Sequence, residues 1–146
     1  NNPGFTERYA NITEKIFRKK PTITKVKNKN CFRISLYQRQ ISKRLSIPSG
    51  SRYHIEIRIP TWIWKEKRYI ISLLRGLFEA EGSLSIHKPT CTYNFQFKNL
   101  NPSLLRIVEK GLRILGFHPE IRKTSTRLRR KLEVAKFQKL IKFRVY

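Results

Sequence analysis

The stretch LLRGLFEAEG, residues 73–82, closes an apolar run with two glutamates and a glycine. The chain of 146 residues has only 9 acids to place, all of them Glu, against 33 Lys and Arg. Read as a helix from about Glu66 to Ala80, the run puts Ser72, Gly76 and Ala80 at four-residue intervals. They form one stripe of small side chains along which a second helix can approach closely. Ile70, Ile71, Leu73, Leu74, Leu77 and Phe78 cover the other faces, so the helix is expected to be buried on nearly all sides. Glu79 and Glu81 lie about 200° apart on such a helix and must serve different ends. Glu79, beside the small-residue stripe, is placed to bond backbone where two helices meet. Glu81 falls at the helix C-terminus, where the last carbonyls already carry partial negative charge and a carboxylate costs ~0.3–1 kcal/mol. A divalent cation would offset that potential. Gly82 suits a left-handed cap. On these residues alone, a buried helix with an acidic end and a metal site are equally good readings.

The net charge of +24 points to a polyanionic partner, with DNA or RNA foremost and an anionic membrane surface second. No run approaches the apolar length needed to span a bilayer, and no signal peptide is visible. Cys31 and Cys91 show no motif spacing and read as free thiols of an intracellular, reducing compartment, cytoplasm or organelle interior. The three histidines, His54, His87 and His118, are scattered, which argues against a zinc cluster. Without a methionine, the sequence reads as a fragment or processed piece of a longer product.

Hydrophobic periodicity alternates between the helical and the extended period. Residues 3–17 carry Phe5, Tyr9, Ile12, Ile16 and Phe17 at helical spacing. TITKVK and CFRISLY read as strands, the second with Phe32, Ile34 and Leu36 on one face and Arg33, Ser35 and Tyr37 on the other. A short helix is expected around Gln38–Leu45. YHIEIRIP alternates Ile55, Ile57 and Ile59 with Glu56 and Arg58. After Gly82 the period becomes two. Leu84 and Ile86 oppose Ser83, Ser85 and His87, and Tyr93, Phe95 and Phe97 oppose Asn94, Gln96 and Lys98. Residues 102–115 are helical and stop at Gly116. PEIRK and TRLRR read as strands, and LEVAKFQKLIKF as a last helix. Residues 2–25 also echo residues 101–123: Asn-Pro, amphipathic helix, Pro, then x-Ile-x-Lys. The echo reads as a duplicated helix–strand–strand–helix unit.

LLRGLFEAEG resembles the signature helix of the LAGLIDADG homing endonucleases. Leu74, Gly76, Leu77, Phe78, Ala80 and Gly82 fit the pattern, and Glu79 and Glu81 fill its two acidic positions. Arg75 stands where a small residue is usual. The upstream LSIPSGS and RIPTWI are similar to the connection between the halves of the single-chain, two-motif members. The resemblance implies a mixed α+β fold of two pseudo-symmetric halves, each with packed helices and an antiparallel sheet lying in the DNA major groove. It implies a partial first half over 1–48, a linker over 49–67 and a signature half over 68–146, truncated at its end. It implies site-specific cleavage of double-stranded DNA by an intron- or intein-encoded enzyme, with Mg²⁺ or another divalent cation on Glu81. Arg52 and Asn99 lie near positions that carry a basic and a water-orienting residue in the family.

The strand faces support the same partner. Asn and Gln can read adenine, and Arg or Lys guanine, from the major groove. Ser83, Ser85, His87, Asn94, Gln96 and Lys98, with Arg33, Ser35, Arg127 and Arg129, are the candidate DNA-binding set. Solvated strand face is an equal reading for most of them. The first signature helix is missing from these residues, and its place is expected to be filled by upstream sequence or by a partner chain. Whether the 146 residues cleave alone stays open. The alternative is an intron-RNA-binding maturase or another non-cleaving module on the same scaffold.

Overall fold

Three aromatic side chains far apart in sequence, Phe78, Phe95 and Phe137, meet at ring-centroid distances of 4.8–5.3 Å and mark the centre of the main core. The structure, a computed structural model, describes residues 3–44 and 55–145. The chain divides by packing into two units, residues 1–46 with 144–146, and residues 47–143.

In the first unit, α1 (Pro3–Phe17) precedes an antiparallel hairpin of β1 (Thr22–Lys25) and β2 (Phe32–Ser35), followed by α2 (Ile41–Arg44). The amphipathic pattern forms the helix, but Tyr9, Ile12 and Ile16 on α1, with Ile23 and Phe32 on the hairpin, stay exposed. Ala10 and Pro21 are buried. On β2, Arg33 pairs with Thr24 and Ser35 with Thr22 across the ladder. Of the helix expected around Gln38–Leu45, α2 covers Ile41–Arg44, and Leu45 lies outside the described residues.

The second unit opens with an extended segment, Ile55–Pro60, which alternates as expected but pairs with no strand among the described residues. Two of its backbone groups bond to side chains instead. The Ile57 N–H donates to Ser103 Oγ at 2.9 Å, and Asn101 Nδ2 donates to the Ile55 carbonyl at 2.8 Å. A 3-10 turn (Thr61–Lys65) leads into α3 (Lys67–Glu81). Then come β3 (Gly82–His87), β4 (Thr92–Lys98), α4 (Pro102–Ile114), β5 (Glu120–Arg122), β6 (Ser125–Leu128) and α5 (Lys131–Leu140). The sheet order is β3-β4-β6-β5, all antiparallel. The order helix, strand, strand, helix thus occurs both as α1-β1-β2-α2 and as α4-β5-β6-α5.

Helix α4 begins where the sequence says it should. Asn101 Oδ1 accepts from the Ser103 and Leu104 N–H groups, and Pro102 fills the first turn. Its C-terminus is closed at Gly116, φ 83°, with the Phe117 N–H on the Leu112 carbonyl. Ile70, Leu74 and Phe78, every fourth residue of α3, are fully buried. They pack with Phe95 and Phe97 of β4, Val108 and Leu112 of α4, Leu128 of β6, and Val134 and Phe137 of α5. Each such side chain contributes ~1.5–3 kcal/mol by leaving water.

Helix α3 is not buried on nearly all sides. Ser72, Gly76 and Ala80 lie on its exposed face, and a Cβ added at Gly76 would meet open space. The close helix approach in this unit falls on Gly111 of α4, where a Cβ would stand 3.3 Å from both Leu74 Cδ atoms. The reason is periodicity: the large residues at 70, 74 and 78 own the inward face. The small ones, two positions on, are turned roughly 200° away.

Candidate nucleic-acid interface and cation-binding corner

The register places the polar strand residues in rows across the second unit's sheet. Ser83, Gln96, Arg127 and Glu120 stand side by side over the four strands, and Lys98, Ser125 and Arg122 form the next row over three. Ser85 lies opposite Asn94, and His87 opposite Thr92. The intervening rows are apolar: Leu84, Phe95 and Leu128 in one, with Phe97 and the buried Thr126 in another. One face of the sheet is core and the other is polar, as the alternation required. Ser83, Ser85, His87 and Lys98 are exposed, whereas Asn94, Gln96 and Arg127 are half-buried. Asn94 Oδ1 is enclosed and accepts no hydrogen bond among the described residues. His87 Nδ1 is 2.6 Å from Thr90 Oγ1 in the β3–β4 turn. Arg129 is exposed just beyond β6. Arg33 and Ser35 belong to the first unit's hairpin, and Arg52 lies outside the described residues.

At one end of this face α3 runs directly into β3. Gly82 is not a left-handed cap. Its φ of −78° and ψ of 144° make it the first extended residue of the strand. Glycine is required for a steric reason, since a Cβ there would lie 2.3 Å from the Phe78 carbonyl oxygen that accepts the Gly82 N–H. This tight junction sets the Glu81 carboxylate, exposed, at the corner where β3 begins and β4 ends.

Asn99, just past β4, donates through Nδ2 to Glu81 Oε2. Its orientation is fixed from the other side, because Asn99 Oδ1 accepts from the Asn101 N–H at 2.7 Å and the Asn99 N–H donates to the Thr124 carbonyl at 3.0 Å. Asn101 is itself held by its cap and by Ile55. A relay of amides therefore runs from the buried α4 cap to the exposed carboxylate. Asn99 is among the residues that the sequence singles out for the site, and Asn101 is not. The signal was present in its Asn-Pro step, a cap preceding a proline.

Glu79 is paired within its own helix. Its side chain is only 6% exposed and takes a 2.9 Å bond from Arg75 Nε one turn earlier. Arg75, the departure from the small-residue pattern, is thus a counter-charge for the inner glutamate. One acid is paired within the helix, and the other stands exposed at its end.

Glu120, which the sequence does not single out, belongs to the sheet's polar face. It accepts from Arg127 through Nε at 3.0 Å and Nη2 at 2.9 Å, and from Arg122 Nε at 2.8 Å. The bonds from Arg127, then those from Arg122, hold its carboxyl down at about 2. Behind the sheet, burial pushes the Glu133 carboxyl up. The backbone and ring of His118 outweigh that and leave it lowered.

No three or more His, Cys or Glu side chains cluster in metal-ligand geometry among the described residues. Glu81 is an exposed carboxylate with Oε2 accepting from Asn99, so a cation at this corner would have it as its protein carboxylate. A single carboxylate is a donor set that Mg²⁺ accepts, because it keeps several waters and takes one or two carboxylates plus phosphate oxygens. Both cysteines are free and exposed, and no helix among the described residues is long and apolar enough to cross a membrane.

No curated protein and no solved structure matches the chain significantly. A family profile described as a LAGLIDADG-like domain matches residues 68–142, just over half the chain and the whole run from the first turn of α3 to the end of α5. That span contains the helix end, the sheet and the amide relay, and on it the chain belongs to the LAGLIDADG family.

Proposed function

We propose that this chain is a homing-type endonuclease, carried by an intron or intein, that binds duplex DNA on the polar face of β3-β4-β6-β5 and hydrolyses a phosphodiester beside Glu81. The observation that carries the reading is the exposed, Asn99-oriented carboxylate at the end of that face. Lys98, Arg122 and Arg129 supply positive charge to phosphates. Ser83, Ser85, His87, Asn94, Gln96 and Lys98 offer donors and acceptors to base edges. Glu81 would hold a divalent cation, and Asn99 keeps its carboxylate aimed. When bound, the cation stabilises charge on the attacking and leaving oxygens. A second signature helix, from upstream sequence or a second copy, would pack on the open stripe of Ser72, Gly76 and Ala80 and give a pseudo-symmetric pair of halves. Arg33 and Ser35 would be the first unit's own contacts to DNA.

A non-cleaving reader of DNA or intron RNA is the second reading. What favours it is that no three His, Cys or Glu side chains among the described residues gather into a metal-ligand group. The test uses the full chain, a randomised duplex pool and Mg²⁺. The endonuclease reading expects metal-dependent cutting that Glu81→Gln abolishes and that Asn99→Ala lowers about 10- to 100-fold. Equal cutting by Glu81→Gln would remove Glu81 from the chemistry. Tight binding of intron RNA without cutting would select the second reading.

A further inference from the structure

One acid stands among the residues of the four strands, and cation chemistry does not use it: Glu120 of β5. A carboxylate on a face that meets phosphates is unfavourable unless it has another task. Its position specifies that task. Across the ladder it faces Arg127, and two residues along its own strand, on the same face, is Arg122. Both carboxylate oxygens are spent on guanidiniums, three hydrogen bonds in all, so little capacity is left to accept from a base. The cluster of two guanidiniums and one carboxylate still presents net positive charge.

The bonds to Glu120 use one edge of the Arg127 guanidinium, Nε and Nη2. The adjacent edge, Nη1 with the second Nη2 hydrogen, carries two parallel donors and engages no acceptor among the described residues. That fork matches one base edge in the major groove, the O6 and N7 acceptors of guanine. Arg127 is also only 20% exposed, and it lies mid-row between Gln96 and Glu120, so its stem is enclosed by neighbours.

We infer that Glu120 is a positioning residue for sequence specificity, holding the Arg127 guanidinium so that its free edge reads a guanine. The inference rests on the polar sheet face being the DNA-binding surface. A held guanidinium loses less freedom on binding than a mobile one, and a geometry fixed by a second side chain discriminates better between bases. Because the carboxyl stays ionised far below neutral pH, the clamp persists across the range in which DNA is stable.

The experiment selects bound duplexes from a randomised pool with the full chain in EDTA, so that binding is read apart from cutting. The wild-type protein should show one base-pair position with guanine preferred roughly 5- to 150-fold. Arg127→Ala and Arg127→Lys should both lose that preference, since lysine keeps the charge but not the fork. Glu120→Gln should reduce preference at the same position only. Its affinity for mixed-sequence duplex should stay equal or rise, because a negative charge has been removed. A merely structural role for Glu120 would instead lower discrimination at every position and depress the melting temperature. Retained guanine preference in Glu120→Gln, or no guanine position that depends on Arg127, would overturn the inference. Gln96→Ala and Lys98→Ala separate the two layers. If neither changes duplex binding, the surface itself is wrong. If both weaken it while Glu120→Gln keeps the guanine preference, only the clamp is wrong.

Discussion

At Gly82 a single hydrogen atom in place of a methyl group couples the end of α3 to the start of β3. Any Cβ there collides with the Phe78 carbonyl, so Gly82→Ala must open the junction that aims Glu81. Overpacking of this kind costs ~1–3 kcal/mol, read as a shift of the denaturant midpoint at unchanged slope. Wild-type stability in Gly82→Ala would contradict the steric account. The glycine was legible in the sequence and its reason was not, because a left-handed cap and a close backbone approach both select glycine. Glu120 was illegible for a related cause. Its meaning lies in the cross-strand register that sets it opposite Arg127, and a strand of three residues carries too little pattern to fix a register. Its carboxyl is lowered from 4.5 to about 2, so its contribution is fully present above about pH 4.5 and is lost as the pH falls through about 2. Carboxyl-detected NMR titration should place the Glu120 midpoint near 2. A midpoint near 4.5 would mean that the Arg127 and Arg122 bonds do not persist in solution.

At the scale of the element, α3 separates two kinds of residue that the sequence presents together. Phe78 sits among Phe95, Phe97 and Phe137, and Phe78→Ala should cost ~3–5 kcal/mol. Gly76 faces open space, and Gly76→Ala should stabilise the isolated chain by ~0.5–1 kcal/mol through helix propensity alone. Thermal unfolding of the two variants checks the contrast. Destabilisation by Gly76→Ala in a monomer would show that the stripe already packs against something. The strands and α4 were legible because alternation, the Asn-Pro start and Gly116 all agree. The outward turn of the small-residue stripe was not. Every face of α3 carries some apolar residue, and only its packing on β4 and α4 decides which face is inward. The segment Ile55–Pro60 misled in the opposite sense. It alternates like a strand, but its backbone partners are the side chains of Ser103 and Asn101, which no local pattern announces.

At the scale of the whole molecule, a net charge of +24 and a sheet with one apolar and one polar face bear on the same partner. The charge says that the partner is a polyanion, and the rows of the sheet say where it can be read. Composition alone carries the first point. The second needs the strand order, because sequence neighbours β4 and β5 are not spatial neighbours and β6 lies between them. The central claim is that duplex DNA lies on this polar face with its backbone at the Glu81 corner. Backbone-amide NMR of the full chain, titrated with duplex DNA at ~0.1 M salt, tests it most directly. The account predicts perturbations at Ser83, Ser85, Gln96, Lys98 and Arg127. It also predicts that Mn²⁺ added to the complex broadens Glu81, Gly82 and Asn99 first. Perturbations confined to α4 and α5, with the strand amides and the Glu81 corner unmoved, would contradict it.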